Sequence, residues 1–251
     1  MAGLSSNQIK FIRSLSQKKF RQESGLFVAE GEKIVNEALS SPFKVKAVYR
    51  SSEIGEECMK RISNLASPSP VLAVIEQRRE ELRFDADKLA AHLKNSTSGT
   101  PLFLALDGVK DPGNMGTIIR LADWFGIDAI FSSHESVEIY NPKVVQATMG
   151  AIFRKPVIYA DLGEVIETFT RAGMAVHGTF LNGKNLYETK NIQKSGLIVM
   201  GSESFGISKE IEEKITSKLL IPPYPADAQT SESLNVAIAT AIICAEFRRP
   251  Q

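Results

Sequence analysis

The sequence predicts an α/β protein of two domains, a smaller N-terminal α/β domain over residues 1–95 and a larger, mainly parallel-sheet domain over residues 96–251. Three observations predict this. From Pro101 onward, apolar strand patterns and amphipathic helix patterns alternate, the arrangement of a parallel sheet with helices on both faces. The small, polar run Asn95-Ser-Thr-Ser-Gly-Thr-Pro101 has the composition of a boundary loop. Three polar loops, two of them bearing glycine, follow strands in the larger domain, where ligands collect in open α/β sheets.

In the first domain, Ser5–Ser16 reads as a helix with Ile9, Ile12 and Leu15 on one side. Leu26–Ala29 is a short strand, Gly31–Leu39 a helix and Val45–Tyr49 a strand. Glu56–Leu65 is helical and Val71–Glu76 a further strand. In the second domain, strands are expected at Pro101–Leu106, Ala129–Ser132, Pro156–Tyr159, Ala175–Thr179, Leu197–Met200 and Lys218–Ile221. Helices are expected at Met115–Phe125, Pro142–Thr148, Leu162–Ala172, Lys209–Lys214 and Ser233–Arg248. Gly126 and Gly173 suit the positions just past helix ends, and Asn141-Pro142 gives an N-cap followed by proline in the first turn.

The 251 residues carry a net charge of only +1, but its distribution is uneven. Lys10, Arg13, Lys18, Lys19 and Arg21 fall in the first 21 residues, which hold no Asp or Glu. A basic face of this kind favours a polyanion such as RNA. Cys58 and Cys244 lie far apart and form no metal-ligand pattern, and Cys244 sits in an apolar run as a small core residue. No apolar run approaches the ~20 residues that span a bilayer. A cytoplasmic protein without metal or membrane partner is expected.

The first polar loop opens a helix and brings Asn114, Gly116 and Arg120 to a strand end. The second, after the strand ending at Met200, holds Gly201, Glu203 and Gly206. The third runs from Ile221 to Ser233-Leu234-Asn235 at the head of an apolar helix. Loops of this type expose backbone groups that can read a flat heterocycle by its edges, and glycine lets such a ligand lie close. A Walker-type phosphate loop and the dinucleotide Gly-x-Gly-x-x-Gly fingerprint are both absent, which disfavours a nicotinamide enzyme. His92, His134 and His177 lack metal spacing and neighbour no nucleophile, so each is expected on the surface or satisfied in the core.

The ordered set Asn114-x-Gly116-x-x-x-Arg120, Gly201-Ser-Glu203-x-x-Gly206 and Ile221-Pro followed by Ser233-Leu-Asn-Val236 resembles motifs 1, 2 and 3 of the SpoU (TrmH-like) family. These are RNA ribose 2′-O-methyltransferases of the SPOUT superfamily. The first domain, through Arg21-Gln-Glu-Ser-Gly-Leu-Phe-Val-Ala-Glu-Gly31, is similar to that family's ribosomal-protein-like substrate-binding module. The resemblance implies S-adenosylmethionine as methyl donor, held in a deep trefoil knot, and a two-fold homodimer pairing near the last helix. It implies that Gly201, Ile221 and Leu234 meet the adenosine through backbone groups while Thr179, Phe180 and Met200 line the same pocket. Asn114, Arg120, Glu203, Ser233 and Asn235 would form the polar wall beside the methyl group and ribose.

Arg120 is the resemblance's candidate for activating the ribose hydroxyl. A guanidinium stays protonated in proteins, which favours stabilising the developing alkoxide, with Glu203 or Ser233 relaying the proton. Two features depart from the family pattern. Ser204 stands where Gly is frequent, and its β-carbon predicts a remodelled loop; the stretch before Ser233, with Tyr224, Pro225 and Asp227, is long. The competing expectation is an RNA-binding or assembly factor with a vestigial pocket, which the intact Asn114, Arg120, Glu203 and Asn235 argue against.

Overall fold

The computed structural model describes residues 3–78, 83–95, 100–189, 192–225 and 233–250. In chain order its elements begin α1 (Ser6–Ser14), α2 (Lys18–Ser24), β1 (Leu26–Glu30), α3 (Glu32–Leu39), β2 (Val45–Arg50), α4 (Ser51–Ile54), α5 (Glu56–Ile62) and β3 (Val71–Glu76). They continue α6 (Ala86–Asn95), β4 (Leu102–Asp107), α7 (Pro112–Trp124), β5 (Ile130–Ser132), α8 (Pro142–Thr148), β6 (Val157–Tyr159) and α9 (Leu162–Arg171). The chain then forms β7 (Ala175–Asn185), β8 (Gly196–Gly201), α10 (Lys209–Glu212), β9 (Ser217–Leu220) and α11 (Val236–Arg248).

These elements fall into two compact units, one of residues 1–81 with 138–154 and the other of 82–137 with 155–251. The partition differs from a single cut at 95/96. α6 belongs to the second unit, and the α8 segment to the first.

The first unit is a three-stranded antiparallel sheet in the order β1-β3-β2. The central strand β3 is buried from Val71 to Ile75, as its unbroken apolar run requires. Ile9, Ile12, Leu15, Met59 and Ile62 from the helices pack with Val28, Leu72 and Val74 of the sheet. A second apolar contact joins Phe27 and Phe43 to Tyr140 and Phe153. That aromatic cluster is why 138–154 folds with this unit. Ser5 starts α1 with a reciprocal capping box to Gln8. The single helix expected over Ser5–Ser16 gives way at Leu15, and the basic stretch after it forms a separate helix, α2, ending at Gly25 in the left-handed region (φ 68°).

The second unit is a six-stranded, wholly parallel sheet in the order β6-β5-β4-β8-β7-β9. β4 and β8 pair over six residues at its centre and are buried along almost their whole length. α6, an element beyond those expected from the sequence pattern, contributes Leu89 and Leu93 to the core beside Phe103, Phe131 and Phe169. Strand β7 continues past Thr179 to Asn185. Both Thr179 and Lys184 pair with Leu219, so residues 180–183 bulge out of the ladder. At Gly183 a β-carbon would stand 2.5 Å from the Leu219 carbonyl carbon, so the bulge closes only on glycine. The bulge carries Phe180, which packs against the core, and Leu181, which is exposed.

Candidate functional site

Each polar loop of the second unit is held by its own backbone bonding. Asp111 caps α7 by accepting from Asn114 N at 2.8 Å, with Pro112 in the first turn. This start fixes Asn114 in the opening turn with its amide directed off the helix. After β8, Ser202 and Gly206 exchange two backbone hydrogen bonds, Ser202 N to Gly206 O at 2.9 Å and Gly206 N to Ser202 O at 3.0 Å. Phe205 N also donates to Ser202 Oγ at 3.1 Å, closing a tight turn that carries Glu203. The turn lies hard against the end of β8. A β-carbon on Gly201 would stand 2.1 Å from the Gly206 carbonyl carbon and 2.2 Å from Ile207 N. Asn235 caps α11 by accepting from both Ala237 N and Ile238 N.

Three of the residues predicted for the polar wall meet directly. Asn235 Nδ2 donates to Asn114 Oδ1 at 2.9 Å, and Asn114 Nδ2 donates to Glu203 Oε1 at 2.6 Å. The two amides therefore run as a relay that ends on a carboxylate, and they fix the rotamers of all three side chains. Ser233 lies in the wall of the adjoining cavity, two positions before the Asn235 cap. Arg120 is not part of this cluster. Six residues after Asn114 on α7, at about 100° per residue, it points to another face of the helix and is exposed.

Beside this cluster is a cavity of about 470 Å³ at the carboxyl ends of β7, β8 and β9. All six residues expected to hold a cofactor line it: Thr179, Phe180, Met200, Gly201, Ile221 and Leu234. Its size and mixed lining suit a nucleoside-sized ligand. The close approach of backbone at Gly201 leaves no side chain between such a ligand and the chain. Sequence reasoning missed Leu181, Ile207, Glu212 and Ala239, which also face it. The signal for Leu181 was the glycine at 183, which marks the bulge.

Ser204 does not strain its loop. The positive φ in this turn sits at Gly206 (67°), and among non-glycine residues of the described chain only Met149 has φ > 0. Ser204 therefore needs no left-handed backbone in this turn. In the third loop Tyr224 is exposed, while Asp227 lies outside the described residues.

Of the five basic residues assigned to RNA, Lys10, Arg13, Lys18 and Lys19 are exposed. Arg13 donates to the Ser63 carbonyl, and Lys19 makes a 3.9 Å pair with Glu23. Arg21 has to be corrected. It is only 2% exposed, donating to Leu15 O and Ser16 O at 3.0 and 2.8 Å and to both oxygens of Glu138, the shorter at 2.6 Å. Its charge is consumed in joining α2 to neighbouring backbone, so it cannot grip a phosphate.

Two further ionisable groups, His177 and Cys244, are buried in the fold. His177 is buried, with Nε2 at 3.0 Å from the Gln193 carbonyl and no hydrogen-bond partner at Nδ1 among the described residues. Burial holds its pKa below the usual histidine value, against the smaller upward pull of that carbonyl. Burial likewise pushes the Cys244 thiol up to about 12, despite the opposing Arg248 charge. Among the described residues no helix is long and apolar enough to cross a membrane.

Comparison with known proteins identifies the family of the chain. Residues 101–245 match the model of the SpoU rRNA Methylase family, and residues 6–82 match that of an MRM3-like substrate binding domain. The chain is 29% identical to the Bacillus subtilis 23S rRNA (guanosine(2553)-2′-O)-methyltransferase RlmP, over 97% of this chain and 96% of that protein. A solved TrmH-family structure from Porphyromonas gingivalis is 37% identical with a TM-score of 0.81, covering 98% of this chain and 99% of that one. An AdoMet-bound rRNA methyltransferase from Sinorhizobium meliloti is 30% identical with a TM-score of 0.81, covering 99% and 96%. By the family match over residues 101–245 and the whole-length likeness to these structures, the chain belongs to the SpoU rRNA methylase family.

Proposed function

We propose that the protein is an RNA 2′-O-ribose methyltransferase, transferring a methyl group from S-adenosylmethionine to a ribose hydroxyl of a structured ribosomal or transfer RNA. One observation carries this reading: the Asn235–Asn114–Glu203 relay stands beside a cavity lined by all six residues expected to hold the cofactor. When bound, S-adenosylmethionine supplies an electrophilic methyl on a sulfonium. The chain's own part is to hold the cofactor through Gly201, Ile221 and Leu234, with Thr179, Phe180 and Met200 as the remaining walls. It must also present a ribose oxygen in line and accept its proton. Positioning of this kind accounts for a large share of such a barrier, up to about 7–11 kcal/mol in ideal cases.

Glu203 is suited to the proton. Asn114 occupies one carboxylate oxygen, and the other makes no hydrogen bond among the described residues. Arg120 is exposed on α7, where its guanidinium can steady the ribose oxygen and an adjoining phosphate as the RNA docks. Ser233 extends the same wall. Lys10, Arg13, Lys18 and Lys19 give the first unit a basic face for the RNA, while the second unit carries the knotted catalytic fold. The reading makes the protein a cytoplasmic enzyme that works without a metal.

A two-fold homodimer belongs to the same reading. α11 is apolar nearly all round, and Leu234 and Ile238 stay about half exposed on one chain (49% and 54%). A sedimentation mass of one chain at micromolar concentration would rule the dimer out. The activity itself is tested by calorimetry with S-adenosylmethionine and by mapping ribose methylation in RNA from a deletion strain against wild type. No cofactor binding and no missing methyl group would overturn it.

A further inference from the structure

A second cavity, of about 410 Å³, opens at the carboxyl ends of β4, β5 and β6. It adjoins the cofactor cavity, and the two share Ser202, Phe205 and Gly206. The wall between them is thus the hydrogen-bonded turn of residues 202–206, and Phe205 stands on it 87% exposed. A phenyl ring held out by a rigid turn, between a methyl-donor cavity and an open cleft, has no packing role within its own fold. It offers a flat apolar face to a ligand that occupies both sides of the wall.

The chemistry of ribose methylation specifies such a ligand. The glycosidic nitrogen is three bonds from the 2′-oxygen, so the base of the target nucleotide must lie immediately beside the methyl-donor cavity. RNA bases outside a helix are commonly read by stacking on aromatic rings and by hydrogen bonds to their edges. The cleft's charge excludes the phosphate backbone as its occupant. Among the described residues, the carboxylates of Asp107, Glu135, Asp161 and Glu210 line it against Lys110 and the imidazole of His134. Asp107 and Asp161 are engaged, accepting from Ser208 N and Glu164 N. Glu135 and Glu210 make no hydrogen bond or salt bridge among the described residues, so they remain as acceptors.

We propose that this second cavity seats the target nucleobase, with Phe205 as its stacking platform, and that it selects guanine through Glu135 and Glu210. Guanine alone presents two adjacent donors, N1–H and the 2-amino group, to a carboxylate. Adenine and cytosine set an acceptor beside their single amino group, and uracil flanks its one N–H with two carbonyls. This inference rests on the methyltransferase reading of the neighbouring cavity, and Phe205 acts in it as a binding residue for the known class of reaction.

The test uses the full chain saturated with S-adenosylhomocysteine, with 5′-GMP, 5′-AMP, 5′-CMP and 5′-UMP as probes in saturation-transfer NMR. Cofactor affinity of every variant is measured in parallel by calorimetry. The expected result is a GMP signal about threefold or more above the other three. Phe205→Ala lowers it about fivefold, Phe205→Tyr restores it, and Phe205→Leu does not. Glu135→Gln with Glu210→Gln brings GMP down to the AMP level. Equal signals for the four nucleotides overturn the inference. So does a Phe205→Leu variant that retains the signal. A wild-type chain that binds no cofactor overturns the methyltransferase reading instead, whereas base-blind binding by the loaded chain overturns this inference alone.

Discussion

Asn235 donates through its side-chain amide to Asn114 Oδ1 at 2.9 Å, across 121 positions of sequence. The same Asn235 caps α11 through Oδ1, accepting from Ala237 N and Ile238 N. One residue therefore starts a helix with its oxygen and orients the candidate active site with its nitrogen.

These two roles separate by substitution. Asn235→Asp keeps the cap acceptor but loses the donor to Asn114, so stability should hold within ~0.5 kcal/mol. Methylation should fall about tenfold or more, because Asn114 is then drawn away from Glu203. Asn235→Ala should lose both, with a further destabilisation of about 1 kcal/mol. Denaturant midpoints and single-turnover rates measure the two effects. Equal activity in Asn235→Asp and wild type would remove the relay from the mechanism.

Arg120→Lys retains the charge and loses the planar fork. Because Arg120 lies outside the cofactor cavity, S-adenosylmethionine affinity should stay within about twofold of wild type. Single-turnover methylation should fall on the order of 100-fold, the scale seen when one transition-state donor is removed. A rate unchanged from wild type would take Arg120 out of catalysis.

Gly201→Ala puts a methyl group where the backbone of Gly206 and Ile207 already stands, at 2.1 and 2.2 Å. Backbone cannot yield as a flexible side chain can, so the turn carrying Glu203 must shift. We expect a loss of about 1–3 kcal/mol in stability and about tenfold in cofactor affinity. Calorimetry on the folded variant checks the second figure.

Much of the candidate site was legible because its residues are fixed by local rules. The tight turn after β8 and the Asn235 cap each follow from a few neighbouring residues. The cavity walls could be named through the family resemblance, which strand position alone would not have supplied. Long-range partners were not legible. Nothing near Arg21 in sequence announces Glu138, 117 positions away, so a buried guanidinium reads as a surface charge. The expected helix at Met115 starts three residues after α7 does, because Pro112-Gly113 reads as a turn unless Asp111 is recognised as its cap. The end of β7 escapes the sequence pattern for a related reason, since a bulge interrupts the alternation on which a strand is recognised.

The contrast between Arg21 and its basic neighbours is measurable. Arg21→Ala leaves Glu138 and two carbonyls without their donor and should destabilise by about 3–5 kcal/mol. Lys18→Ala and Lys19→Ala should stay within ~0.5 kcal/mol of wild type. Those two should instead weaken RNA binding, and each phosphate left without its lysine should reduce the salt dependence by about one unit of slope. Paired denaturation curves and salt titrations separate the two classes.

His177 gives the fold an acid limit. Its folded pKa lies below the unfolded value because burial opposes the charge, and the Gln193 carbonyl offsets only part of this. The unfolded chain takes up a proton near pH 6.5 that the folded chain refuses. The contribution of His177 to stability is therefore present in full above about pH 6.5 and is lost as the pH falls toward its folded pKa. One proton sets the steepest possible slope, about 1.4 kcal/mol per pH unit. His177→Gln keeps an amide donor for Gln193 without a titrating group, and all carboxylates remain as they are. The stability difference between wild type and His177→Gln should stay constant above pH 7 and turn against wild type between pH 6.5 and 5. A difference that stays flat across that interval would mean that His177 accepts its proton without loss in the folded protein.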